Sequence, residues 1–246
     1  MKKLLFVIPL LALSACEGSI ASAVGSAGKS SFSDGTQIGT TATNPGEFDG
    51  VTLAGPDNVV FTTGSDFSIR AEGKSDTLEQ LRYKITDGQL KIGREKNGGM
   101  WSGDYNGATV YVSAPSLKSA KLAGSGDMQV DNMNGENAKI SVAGSGNVDV
   151  AALETASLTT KVAGSGDVSI AGTADEVTIS VAGSGDISGK KLKAENATIK
   201  VAGSGDVSLS SDGAVEATVV GSGDIRIHGD AVCKTKSRGS GDITCG

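Results

Sequence analysis

The sequence predicts an all-β chain wound as a right-handed parallel β-helix, a β-solenoid with 18–20 residues per coil and a short N-terminal capping region. Three observations carry this. The tetrad Gly-Ser-Gly-Asp recurs at Gly124, Gly164, Gly183, Gly203, Gly221 and Gly239, with Gly-Ser-Gly-Asn at Gly144. A repeat of near-constant period marks an array of stacked units. The copies start 20, 20, 19, 20, 18 and 18 residues apart, which holds short strands and turns but not a βαβ unit of about 30 residues. Finally, the residues flanking each tetrad alternate apolar and polar with period two, as strands with one buried face require.

The first fifteen residues read as a signal peptide. Lys2 and Lys3 precede an apolar run from Leu4 to Leu13, far shorter than the roughly 20 residues that span a bilayer. Its end, Leu13-Ser14-Ala15-Cys16, resembles the lipobox of bacterial lipoproteins. That resemblance implies acylation of Cys16 and a membrane partner held through an N-terminal lipid. Glu17 is not the aspartate associated with inner-membrane retention, which points towards the outer membrane of a bacterial cell envelope.

Residues 16–47 are rich in Ser, Gly, Ala and Thr and read as a flexible tether. The domain is expected from residue 48 to 246, irregular over 48–107 and regular over 108–246. Phe48 to Gly64 has strand patterning about a turn at Gly55-Pro56-Asp57, as a degenerate first copy of the repeat. A strand is expected over Phe67–Ala71, and Asp76 with Glu79 suggests a capping box for a short helix near residues 77–84. The Asp87-Gly88 turn then leads into a strand at Leu90–Ile92.

In the repeats, Leu122, Val142, Val162, Val181, Val201 and Val219 stand two residues before the tetrad, with Ser237 in the last copy. Met128, Val148, Val168, Ile187, Val207, Ile225 and Ile243 follow its fourth residue. Stacking at a strand separation of about 4.8 Å places each set in a buried column. Ala123, Ala143, Ala163, Ala182 and Ala202 sit beside the glycines at a tight bend, where two positions are expected at φ > 0. An antiparallel meander closed by the same tetrads is the rival topology. The 20-residue copies do not suit a left-handed hexapeptide helix.

Without Lys2 and Lys3 the chain carries a formal charge of −8, and no basic patch is evident, so nucleic acid is not an expected partner. Cys233 and Cys245 fall on inward positions of the last coil and read as a structural disulfide. A metal or redox role lacks nearby ligands, since His228 is the chain's single histidine.

From Phe48 to Gly246 the chain resembles the auto-transporter adhesins with a head GIN domain. The resemblance rests on Phe48-Asp-Gly-Val, Leu53-Ala-Gly-Pro56, Asp87-Gly-Gln-Leu-Lys-Ile92 and the Val-Ala-Gly-Ser-Gly-Asp copies. It implies a β-helix-like fold behind a signal or lipobox, and it brings no catalytic residues.

The aspartates Asp127, Asp167, Asp186, Asp206, Asp224 and Asp242 would form a ladder. Charges about 4.8 Å apart repel by about 0.9 kcal/mol per pair at the dielectric of water. Two arrangements offset this: each carboxylate accepts an N–H of its own turn, as Asn147 also can, or the row binds Ca²⁺. Here the aspartate directly follows glycine every 18 to 20 residues, unlike the nine-residue calcium-roll repeat. In a chain with 4% aromatic residues, Trp101 and Tyr105 share the glycine-rich segment Asn97–Gly107. They are candidates either to cap the first coil or to contact a cell-surface glycan or protein.

A polysaccharide lyase or hydrolase would need carboxylates in distinct environments, whereas this ladder is uniform. Serine-hydrolase and zinc signatures are missing too. The reading is therefore a non-catalytic adhesion or scaffolding protein, with a carbohydrate-binding module or a polysaccharide-active β-helix enzyme as the alternative.

Overall fold

Every strand pairing between consecutive repeats is parallel and nearly in register, so the chain forms a β-solenoid and the antiparallel meander is excluded. The structure is a computed structural model, and it describes residues 32–95 and 107–246. The N-terminal part contains β1 (Thr36–Gln37), β2 (Gly50–Gly55), β3 (Asn58–Thr63), β4 (Ser68–Glu72), α1 (Ser75–Leu78), β5 (Leu81–Thr86), β6 (Gln89–Arg94) and β7 (Thr109–Ala114). The regular windings follow as β8 (Ser119–Gly124), β9 (Met128–Val130), β10 (Met133–Gly144), β11 (Val148–Gly164), β12 (Val168–Gly183) and β13 (Ile187–Gly203). The last are β14 (Val207–Ser211), β15 (Ala214–Gly221), β16 (Ile225–His228), β17 (Val232–Gly239) and β18 (Ile243–Cys245).

Alternation sets the core. Val142, Val162, Val181, Val201 and Val219 lie in register and are buried, as are Val148, Val168, Ile187, Val207 and Ile225 on the second face. Ser237 and Ile243 continue these columns in the last winding, where Ser237 is exposed and Ile243 half-buried. There the inward column also changes from Ala217 to Thr235, and Cys233 and Cys245 lie at disulfide distance with Cα atoms 6.5 Å apart. The polar replacements and the cysteine pair thus mark the last described winding, whose inward face is the most polar of the stack.

Each glycine of the tetrad has its own reason. The first has φ between 129° and 147° in every copy, a region that a β-carbon disfavours. The second does not have positive φ, contrary to the expectation of two such positions. Instead it is buried in every copy but the last, and a Cβ there would penetrate the backbone carbonyl of the equivalent residue in the preceding rung, Asp57 for Gly126 and a glycine for the others. The carbonyl of Gly164 accepts both Ser184 N–H (2.9 Å) and Gly185 N–H (3.2 Å), and the same pair of bonds repeats along the stack. Gly55-Pro56-Asp57-Asn58 lies in register with Gly124 to Asp127, so the degenerate first copy is a true rung.

The order of the first windings in space differs from their order in sequence. Strands β2 and β3 are laid down first, yet they lie between β6 and β7 on one side and β8 and β9 on the other. Beyond β6 and β7 the pairing turns antiparallel, with β5 on β6, β4 on β7 and β1 on β5.

Two sequence expectations need correction here. Residues 32–47 are not tether: Ile38 is buried and its N–H donates to Leu81 O (3.1 Å), Phe32 covers Gly93, and Thr43 bridges Ile69. Two large apolar side chains suffice to fix a segment that is otherwise polar. The helix is only Ser75–Leu78, with Lys74 at its N-cap and no side-chain cap, because Leu81 is drawn into β5 and buried. Cys16 and residues 1–15, which read as a signal peptide, lie outside the described residues.

Candidate functional site

The aspartate ladder forms, but not through bonds within each turn. In every case Oδ1 accepts the backbone N–H of the equivalent residue one rung on. Asp167 accepts from Asp186 (2.8 Å), Asp186 from Asp206 (2.7 Å), Asp206 from Asp224 (2.8 Å) and Asp224 from Asp242 (2.9 Å). Asp127 accepts from Asn147 (2.9 Å), and Asn147 from Asp167 (3.0 Å). Asn58, which the sequence reading passed over, starts the ladder by accepting Asp127 N–H (2.9 Å). Arg226 adds a cation 2.8 Å from Asp224 and 3.7 Å from Asp206.

The bonds accepted by the aspartates are charge-assisted and offset part of the repulsion between neighbours, whereas Asn58 and Asn147 accept as neutral amides. Among the described residues, no group of three or more His, Cys, Asp or Glu side chains converges to hold a metal ion. Asp186→Asn keeps the acceptor and removes a like charge, so its melting temperature is expected to match or exceed the parent's. Asp186→Ala leaves the Asp206 N–H without its partner and is expected to cost about 1 kcal/mol by thermal denaturation.

At the N-terminal end the position in register with the second tetrad glycine, next to Asn58, carries a buried ion pair. Asp57 is fully buried and accepts from Arg94 Nε (2.8 Å), Arg94 Nη2 (2.6 Å) and the Ala108 N–H (2.8 Å). Hydrogen bonding to Asp57 holds the Arg94 guanidinium above its ordinary pKa, against the effect of burial. Arg94 and Ala108 flank the segment that replaces the tetrad in this winding. Trp101 and Tyr105 belong to that segment and lie outside the described residues. Beside its stems, Asn58, Val60, Thr109, Asp127 and Gln129 line a shallow depression.

The face that leads into the tetrads carries an arrangement that the sequence reading missed. Three residues before the first glycine, the outward column reads Lys91, Thr52, Lys121, Ser141, Lys161, Ser180, Lys200, Thr218, Lys236 in spatial order. Lysine and a small hydroxyl residue thus alternate over nine rungs. On one side runs a column of Gly93, six alanines, Val220 and Arg238. The column on the other side includes Thr159, Thr178 and Thr198, with Lys139, Glu216 and Lys234.

The three columns carry eight cationic side chains and one carboxylate, Glu216. That carboxylate is bonded to Lys234 (2.9 Å); this bond chiefly, with the charges of Lys234, Lys236 and Lys200, holds its pKa below the ordinary value. A basic face therefore exists in a chain of formal charge −6, which corrects the sequence expectation of no basic patch. The alternation was present in the sequence as Lys121, Ser141, Lys161, Ser180 and Lys200, each immediately before the apolar column residue.

Comparison with solved structures finds the same fold. A putative adhesin from Bacteroides fragilis has a TM-score of 0.73 at 21% identity, over 83% of this chain and 94% of that one. A protein from Parabacteroides distasonis described as a putative lipid binding protein has a TM-score of 0.64 at 22% identity, over 86% and 98%. A putative adhesin from the same species has a TM-score of 0.64 at 20% identity, over 83% and 94%. No curated protein matches the chain. The family described as putative auto-transporter adhesin, head GIN domain, matches residues 47–231. Its match spans β2 to β16, from the degenerate first rung through all but the last of the tetrad windings, and the chain belongs to that family.

Proposed function

We propose that this chain is a non-catalytic adhesion or scaffolding lipoprotein of the bacterial envelope. In this reading it is held in the outer membrane by acylated Cys16 and presents the solenoid to a cell-surface glycan or protein. The observation that carries the reading is the unbroken bonding from rung to rung. Asp Oδ1, the glycine carbonyl and the strand ladders all join each winding to the next. Such a stack is a stiff rod with flat faces, suited to holding a ligand-binding surface away from an anchor. Trp101 and Tyr105 are proposed as additional contacts for that ligand.

The test uses cells producing the parent chain, the Cys16→Ser variant, or neither, scored for membrane fractionation and for attachment to immobilised glycans and matrix proteins. The parent is expected in the membrane fraction and to raise attachment, with both lost in Cys16→Ser. Unchanged fractionation of the variant overturns the lipid anchor. Attachment equal to that of cells lacking the protein overturns the adhesion role.

A further inference from the structure

We propose that the lysine column is a docking track for a linear anionic polysaccharide, specifically a 1,4-linked uronic acid chain lying parallel to the solenoid axis. The inference builds on the binding role proposed above and names the partner's chemistry.

The lysines stand on every second rung, about 9.6 Å apart, and Lys91 to Lys236 cover about 38 Å at the ordinary strand separation. Repulsion between cations alone does not explain what lies between them. The favourable neighbour for a lysine in a stacked column is a carboxylate, and opposite charges on adjacent strands stabilise a sheet. The protein uses that solution one column away, in Glu216 and Lys234. In the lysine column all four intervening positions are Ser or Thr instead. Among the described residues, none of the five lysines is within ion-pair distance of a carboxylate. Within the column no carboxylate offsets the charge, and Lys200 and Lys236 act on Glu216 of the neighbouring column only at longer range.

A straight row of cations at a regular spacing fits a ligand that is itself straight and regular. In an extended two-fold uronic acid chain, alternate sugars turn their carboxylates to the same side, so the disaccharide repeat matches a two-rung step. The intervening Ser and Thr hydroxyls supply hydrogen-bonding partners for sugar hydroxyls. Nucleic acid fits less well, because its phosphates follow one another every 3.4 Å or so along a strand. A lipid surface needs no register and would be served equally by scattered lysines.

The experiment is calorimetric titration of the purified chain with polygalacturonate and alginate fragments at low salt, with neutral dextran as control. The parent is compared with Lys121→Ser, Lys161→Ser, Lys200→Ser combined, and with an off-face triple, Lys190→Ser, Lys191→Ser, Lys193→Ser, that removes the same charge. Melting temperatures are recorded for all three.

The column triple is expected to lose about tenfold or more in affinity with unchanged melting, while the off-face triple binds as the parent does. Added salt is expected to weaken binding in proportion. No binding of polyuronate by the parent overturns the proposal, as does an equal loss in both triples. Binding of duplex DNA or phosphatidylglycerol vesicles, with polyuronate silent, also overturns it. Cell attachment without polyuronate binding would reject this ligand and leave the adhesion role standing. Polyuronate binding without attachment would do the reverse.

Discussion

Gly183→Ala is expected to be among the most damaging single substitutions in the regular windings, lowering stability by about 3–5 kcal/mol. Gly183 has φ 134°, where an alanine is strained before any contact is counted. Its added Cβ would also penetrate the carbonyl oxygen of Gly164, the atom that accepts two hydrogen bonds from this rung. Both partners are backbone and cannot swing aside. In a stack whose stability is a sum of neighbour terms, the damage falls on the bond between two windings in the middle of the array. Denaturant unfolding is expected to show a lower midpoint together with a broadened or divided transition. Ser184→Ala, at the exposed position next to it, is expected to stay within about 0.5 kcal/mol of the parent. Equal midpoints for the two variants would show that the turn tolerates a side chain and that the glycine ladder is not a constraint.

Asp57→Ala is expected to cost about 3–5 kcal/mol, the usual effect of breaking a buried charge pair by removing one member. The substitution deprives the Arg94 guanidinium of its two contacts with the carboxylate and leaves the Ala108 N–H without its acceptor. Because Arg94 ends β6 and Ala108 precedes β7, the winding they belong to is expected to loosen first. Hydrogen exchange should therefore rise in β6 and β7 before it rises in β12 or β13. Asp57→Asn retains an acceptor and should fall between the parent and the alanine variant. Uniform exchange across all strands, or a loss below about 1 kcal/mol, would contradict a structural role for this pair.

The regular windings were legible because their period and their alternation agree. Val162, Val181 and Val201 announce the buried column, and the glycines announce the turn. Phe32 and Ile38 were missed because two apolar residues in a Ser/Gly/Thr background give no periodic signal, and their partners lie far away in β5 and β6. The helix lies earlier than the sequence suggests because Leu81 and Ile85 suit a helix and a strand equally, and pairing with β6 decides between them. In the ladder, the aspartate positions were readable but their partners were not. A bond from Asp167 to Asp186 N–H exists only once the windings are stacked. The lysine column needed one more step than the apolar ones. Its period is two repeats, about 40 residues, so it disappears when the copies are averaged into a single consensus.

The placement of β2 and β3 between windings made later gives the molecule a direction of growth. Its front end is a closed knot of interleaved strands that cannot lose a member without opening its neighbours. Beyond it the described windings follow one another in chain order, each paired with the one before. Lengthening such a rod requires only the duplication of one 18- or 20-residue module within that succession, and shortening it requires only a deletion. Relatives of different reach can therefore arise without disturbing either extremity, and a pair of added modules extends the lysine track by one more step.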